Sequence, residues 1–217
     1  MKKPFELKTV LTVLFTTCLL VANIVAAKQI QLPGGITMTG AVAVFPITYI
    51  LSDVFSEVYG YRWSRLTCYL AFAMNLFMVA IFEVVIATPA PGYWQNQAAF
   101  ATVLGSAPRT LAASLLGLLA GDFVNDRVFR GMKKKHQEEL KGFGARAILS
   151  SLAGEMADSA VFIPLAFAGT MPPANMLVMG ATQVVLKVAY EVVILPVTAI
   201  VCKKVGQYEK KKGDIIA

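Results

Sequence analysis

Polar residues along this chain fall in clumps, and between the clumps run six predominantly apolar stretches, about 9–27, 41–59, 66–88, 100–124, 145–168 and 175–202. A helix of roughly 18 or more apolar residues is long enough to cross the hydrocarbon core of a bilayer. The connections are short and leave no room for a separate soluble domain. The pattern predicts an all-α integral membrane protein, a single six-helix transmembrane domain over residues 1–217. The first stretch, with Lys2, Lys3 and Lys8 ahead of it and Val25-Ala26-Ala27 at its end, has the outline of a secretory signal. Its apolar run is longer than such signals carry and five more spans follow, so it is read as a retained first span.

Composition agrees. The chain is 57% hydrophobic and 15% charged with mean hydropathy +0.64, against about 25% charged residues in a soluble domain. The net charge of +7 invites a nucleic-acid partner, but its distribution rejects one. With the N-terminus cytoplasmic, 17 of the 20 basic residues fall on inside segments. Lys28 and Arg109 fall outside, and Lys187 lies within the last span. Such a bias orients a membrane protein, placing both termini in the cytoplasm of a multi-pass protein of the cell inner membrane. The basic charge is then free to touch anionic lipid. Cys18, Cys68 and Cys202 form no CxxC pair and suggest neither a disulfide scaffold nor a zinc site. The single histidine, His136, sits among loop lysines, so a histidine-based triad is excluded and no metal or other cofactor is expected.

The connections carry their own signals. Pro33-Gly34-Gly35 between two short alternating runs predicts a hairpin over 28–40, able to cap a site from outside or to lie exposed. Pro89 and Pro91 end the third span, and Tyr93 and Trp94 suit the membrane–water interface. The segment from Lys203 onward reads as a charged, frayed tail. No internal repeat is evident, so an inverted-repeat transporter is not supported.

Candidate chemistry lies within the spans. Asp53, Glu57, Glu83, Asp122, Glu155, Asp158 and Glu191 are carboxylates inside apolar stretches, and Arg109 and Lys187 are the cations at comparable depth. Two cations cannot neutralise seven anions. The remaining acids must be protonated, interfacial, or facing water or a ligand. Gln183, Lys187 and Glu191 recur every four residues and form one polar stripe, read as ligand-facing rather than as a local salt bridge. Glu155 and Asp158 share a face on the fifth span, where Gly154, Ala157, Ser159 and Ala160 allow close helix approach. Asp158 sits deeper and is the better ligand residue, leaving Glu155 at the rim. Asp53 and Glu57 likewise share a face. Glu57 has Arg62 and Arg65 nearby and belongs to a rim or gate, whereas Asp53 points to the cavity. Glu83 and Asp122 lie near span ends. Arg109 either holds a carboxylate or anchors at the outer surface. In the first span, Asn23 could point inward, Ala22 and Ala26 form a small packing face, and Lys28 marks the membrane boundary.

Several of these segments resemble one family. Asn23-Ile24-Val25-Ala26-Ala27-Lys28 and the run from Phe45-Pro46-Ile47-Thr48-Tyr49 through Ser52-Asp53-Val54-Phe55-Ser56-Glu57-Val58-Tyr59-Gly60 are similar to the queuosine precursor transporter family, also called the vitamin uptake transporter family. So are Pro108-Arg109, the run Asp158-Ser159-Ala160-Val161-Phe162-Ile163-Pro164, and Gln183-Val184-Val185-Leu186-Lys187 with Glu191 and Pro196. The resemblance covers nearly the whole chain, most specifically in the second span. It implies a six-helix inner-membrane importer of 7-deazaguanine precursors of queuosine, or of queuine, for tRNA modification. It also implies a fold similar to the substrate-binding subunits of energy-coupling-factor transporters. For such a ligand, Asp158 or Glu191 would accept N–H donors, and Gln183, Asn23 or Lys187 would serve the ring carbonyl. A second carboxylate would meet an aminomethyl cation, and Phe45, Tyr49 or Phe162 would stack on the ring. Lys28, Asp53 and Arg109 complete the candidate binding set. The alternative is a substrate-binding subunit that needs an ATP-driven module, for which the Ala22/Ala26 face is the sequence hint. A homodimer is compatible with either reading. An intramembrane enzyme lacks a Gly-x-Gly-Asp-like context and any histidine cluster, and a purely structural role leaves the unpaired acids unexplained.

Overall fold

The computed structural model describes residues 6–33, 36–135 and 143–212, and the protein is mostly helical. Seven α-helices follow in chain order: α1 (Leu7–Val25), α2 (Phe45–Val54), α3 (Tyr61–Ala87), α4 (Gln97–Leu104), α5 (Ala107–Lys135), α6 (Phe143–Phe167) and α7 (Pro173–Lys212). Two short strands, β1 (Gln29–Gln31) and β2 (Thr37–Thr39), pair between α1 and α2. They form the arms of the hairpin read from the sequence, joined across the turn by Leu32 N–H donating to Ile36 C=O at 2.8 Å. Gly34 and Gly35 of that turn, and His136, lie outside the described residues.

Among the described residues three helical stretches are long and apolar enough to cross a membrane: Leu7–Val25, Tyr61–Ala87 and Gln97–Val128, the last taking in α4 and most of α5. A fourth is α7, when Pro173–Tyr190 and Val193–Lys211 are counted as one span. The other two expected spans differ for separate reasons. α6 has 25 residues, at 1.5 Å each about 37 Å and more than the ~30 Å hydrocarbon core. Its apolar character is diluted by Glu155, Asp158 and the serines Ser150, Ser151 and Ser159. The expected span 41–59 is not one regular helix. It runs as a 3₁₀ turn (Gly40–Ala43), then α2, then a π-helical turn (Phe55–Tyr59). Gly60, at φ 79°, breaks the run before α3 begins, a conformation that only glycine adopts without strain.

The chain divides into two compact units. The first is built from the described parts of Met1–Lys28, Thr39–Ala107 and Tyr190–Ala217. In it α1 packs against α2 and α3 around Phe15, Leu51, Phe55 and Ala71. Ala22 and Ala26 are buried with Ala41, with Val44 and Phe45 packed over them. The small face of the first span is thus covered from within its own unit. Gly40 N–H donates to Lys28 C=O at 2.7 Å, and a side chain at Gly40 would collide with Val25 C=O. The segment from Lys203 onward, read from sequence as a frayed tail, continues as helix to Lys212. Its Glu209 is buried and accepts a 2.7 Å hydrogen bond from the Tyr59 hydroxyl. That partner, far away in sequence, is what local composition could not reveal.

The second unit comprises the described parts of Gln29–Met38 and Pro108–Ala189. Its apolar core is Ala113, Ile163, Ala166, Phe167, Met171 and Met179. Here α5 and α6 cross through glycines. A Cβ on Gly121 would lie 3.0 Å from Gly154 C=O, and one on Gly154 would lie 3.0 Å from both Gly121 C=O and Asn125 Cβ. Backbones this close leave no room for side chains between them.

Candidate functional site

In the second unit α6 runs antiparallel to the first half of α7. Ile163 meets Gly180, and two turns away Glu155 meets Lys187, so one residue number falls as the other rises. Along this seam the surroundings change from apolar to charged. Ile163 packs with Met179 at the apolar end. One turn along, at the level of Gln183, lies Ser159, and both are 4% exposed. A further turn brings Lys187 to the acids of α6.

Lys187 pairs with both of them. Its ammonium forms an ion pair with Glu155, 2.7 Å from Oε2 but out of hydrogen-bonding alignment, and donates a hydrogen bond to Asp158 Oδ2. The lysine side chain is 12% exposed, and those of Glu155 and Asp158 are 27% and 23% exposed. Asp158 is held from a second direction. The crossing glycines leave its Oδ1 against α5, where a Cβ on Gly117 would lie 2.5 Å from it. Asp158 therefore has the lysine on one side and the α5 backbone on the other, while Lys187 is the charged partner of Glu155 among the described residues. With all three groups ionised the cluster carries one net negative charge. A net charge at membrane depth costs about 2.5–3.5 kcal/mol at the centre of a span, unless a proton, water or a cationic group of a ligand answers it.

The remaining candidates fall in separate places. Arg109, at the start of α5, is exposed and donates from Nε to Leu165 C=O at 2.5 Å and from a terminal nitrogen to Ala168 C=O at 2.6 Å. These carbonyls close α6, where the last turn lacks intrahelical donors and the helix dipole is negative. The arginine thus caps a helix. Phe162 stands edge-on to Phe167, with centroids 6.1 Å apart. The side chain of Glu191 lies outside the described residues.

In the first unit Asn23 donates its amide to Asn75 Oδ1, and buried Asn75 in turn donates to Ala71 C=O at 2.9 Å. Phe45 and Tyr49 are tilted neighbours 6.2 Å apart on α2. Lys28 is exposed. Asp53 and Glu57 are both exposed. Because Glu57 sits in the π turn, the regular four-residue spacing assumed for this pair does not hold here. Among the described residues no group of three or more His, Cys, Asp or Glu side chains is placed to hold a metal ion.

Three features of these sites were not singled out from sequence. Gly117 and Gly121 carry a readable signal, small residues four apart on one helix face. The Tyr59–Glu209 bond and the π turn carry none, because no local pattern announces them.

Comparison with known proteins places these sites in a context. The model of a family described as "Putative vitamin uptake transporter" matches residues 39–201. A protein of Bacillus subtilis (strain 168), described as "Probable queuosine precursor transporter", is 23% identical over 179 residues, which cover 81% of this chain and 76% of that protein. No solved structure matches.

Proposed function

The chain belongs to the vitamin uptake transporter family, a membrane transporter rather than an enzyme, and from that premise we propose that it imports a purine-like base, in the first instance a 7-deazaguanine precursor of queuosine. The observation that carries the reading is Lys187 held between Glu155 and Asp158, one turn from buried Gln183. A flat guanine-like edge offers N–H donors beside a carbonyl acceptor, and this cluster offers carboxylates beside an ammonium and an amide. Asp158 keeps Lys187 in place. Glu155, slightly more exposed than Asp158, turns to the N–H donors of the base. An aminomethyl cation on the ligand would answer the net negative charge. The similarity to the Bacillus subtilis protein described as a probable queuosine precursor transporter supports this class of substrate. The same reading has six spans in the inner membrane, the second formed by α2 with its π turn and the fifth by α6, with both ends of the chain cytoplasmic.

The test is uptake of labelled precursor into cells that lack their own transporter. Wild-type protein should restore uptake, and Glu155→Gln and Lys187→Met should each abolish most of it at equal membrane abundance. Normal uptake by both variants would remove the cluster from the mechanism. Thermal stabilisation of the purified protein by an unrelated vitamin, and by no deazaguanine, would overturn the substrate class.

A further inference from the structure

Among the described residues the buried hydroxyl of Ser159 has no bonding partner. The residue is 4% exposed. A serine or threonine inside a helix commonly returns its hydroxyl to a carbonyl one turn back. Thr88 does so to Val84 and Thr102 to Ala98, at 2.8 and 2.7 Å. Ser159 does not, although the same solution is within reach of any helical serine. Buried polar groups are nearly always bonded, so one that is not asks for an explanation, such as a partner that comes and goes.

Its position suggests which partner. The seam between α6 and α7 pairs Glu155 with Lys187 on one side and Ile163 with Gly180 on the other. Ser159 lies midway, level with Gln183. It therefore stands where the charged cluster gives way to apolar Ile163 and Met179. A flat heterocycle whose donor edge reaches Glu155 would bring its neutral polar edge, and not its charge, to this level. A hydroxyl suits that role because it can donate to a ring carbonyl or accept from a ring N–H.

We propose that Ser159 is a specificity-determining residue of the transport site, hydrogen-bonding the ring carbonyl of a planar base whose donors meet the Glu155–Lys187–Asp158 cluster. The inference rests on the purine-like substrate proposed above and adds a residue and a ligand group to it. It also explains why the hydroxyl is left unbonded in the protein alone: an internal bond would compete with the ligand.

The experiment uses the purified full-length protein and two bases, a 7-deazaguanine and the 2-amino-7-deazapurine that lacks the ring carbonyl together with the adjacent ring N–H and keeps the exocyclic amine. Affinities are measured by calorimetry for wild type and Ser159→Ala. The expected result is about a tenfold loss for Ser159→Ala with the carbonyl base and none with the other, the size of one hydrogen bond to a buried partner. The unliganded melting temperature of Ser159→Ala should equal or exceed that of wild type, because an unbonded buried hydroxyl is removed. An equal loss for both bases would mean that the serine only shapes the fold. Undiminished binding of both would remove it from the site while leaving the substrate class intact. Failure of wild-type protein to bind either base would overturn the substrate class, and the serine assignment with it.

Discussion

Arg109 illustrates how one side chain can look like a site and serve a helix instead. In the sequence it is a cation that either holds a carboxylate or anchors at the outer surface. Its partners turn out to be two backbone carbonyls, which no side-chain pattern could have announced. Arg109→Ala should lower stability by about 1–2 kcal/mol, since it strands two helix-end carbonyls and removes a favourable charge at the dipole. Arg109→Lys should recover only part, because an ammonium cannot present the two-pronged donor geometry. Thermal unfolding in detergent reads both. Lys187 is the opposite case. The period of four puts Gln183 and Lys187 on one helix face, but which acids the lysine meets is not legible, because that depends on how α6 packs against α7. Lys187→Met leaves two facing carboxylates without their shared cation. Breaking a fully buried pair costs about 3–5 kcal/mol, and with side chains partly exposed a loss of ~1–3 kcal/mol is expected. Adding Asp158→Asn to Lys187→Met should restore some of that stability, and a further loss in the double variant would contradict the pairing of Lys187 with Asp158.

At the scale of elements, the spans were legible wherever an apolar run coincides with a regular helix, as in α1 and α3. They were less legible where the backbone departs from the α pattern. The π turn at Phe55–Tyr59 has no compositional signature, and it lies beside Asp53 and around Glu57, the pair that a spacing of four puts on one face of a regular helix. Such turns occur often at functional positions in membrane and soluble helices alike. The α5–α6 crossing makes a separate prediction. Gly117→Ala would drive a methyl against Asp158, and the loss should appear in both stability and uptake. Gly131→Ala, farther along the same helix with nothing within 4 Å of the added carbon, should be neutral or stabilising by up to ~1 kcal/mol through helix propensity. A thermal shift that falls equally for both would show that the crossing is not the reason.

For the whole molecule, exposure and family tell one story. Large apolar side chains stand open on α3, among them Leu66, Leu70, Leu76, Phe77 and Val84, a cost in water and an advantage in lipid. The chain has two tryptophans, and Trp94, 43% exposed, follows the end of α3. Lipids brominated near the headgroup should quench its fluorescence, and Trp94→Phe should remove most of that quenching. Retained quenching in the variant would place Trp94 away from the interface. The Tyr59–Glu209 bond carries a consequence for the order of assembly. Its partners are separated by 150 positions, and the first unit draws on segments from both sides of the second. While the chain is being made, α1, α2 and α3 emerge early, yet the hydroxyl of Tyr59 waits until the far turns of α7 have left the ribosome. The first part of the protein to appear is thus among the last to be completed, and an arrest of synthesis before Glu209 should leave it open to protease at the π turn long after the second unit has become resistant.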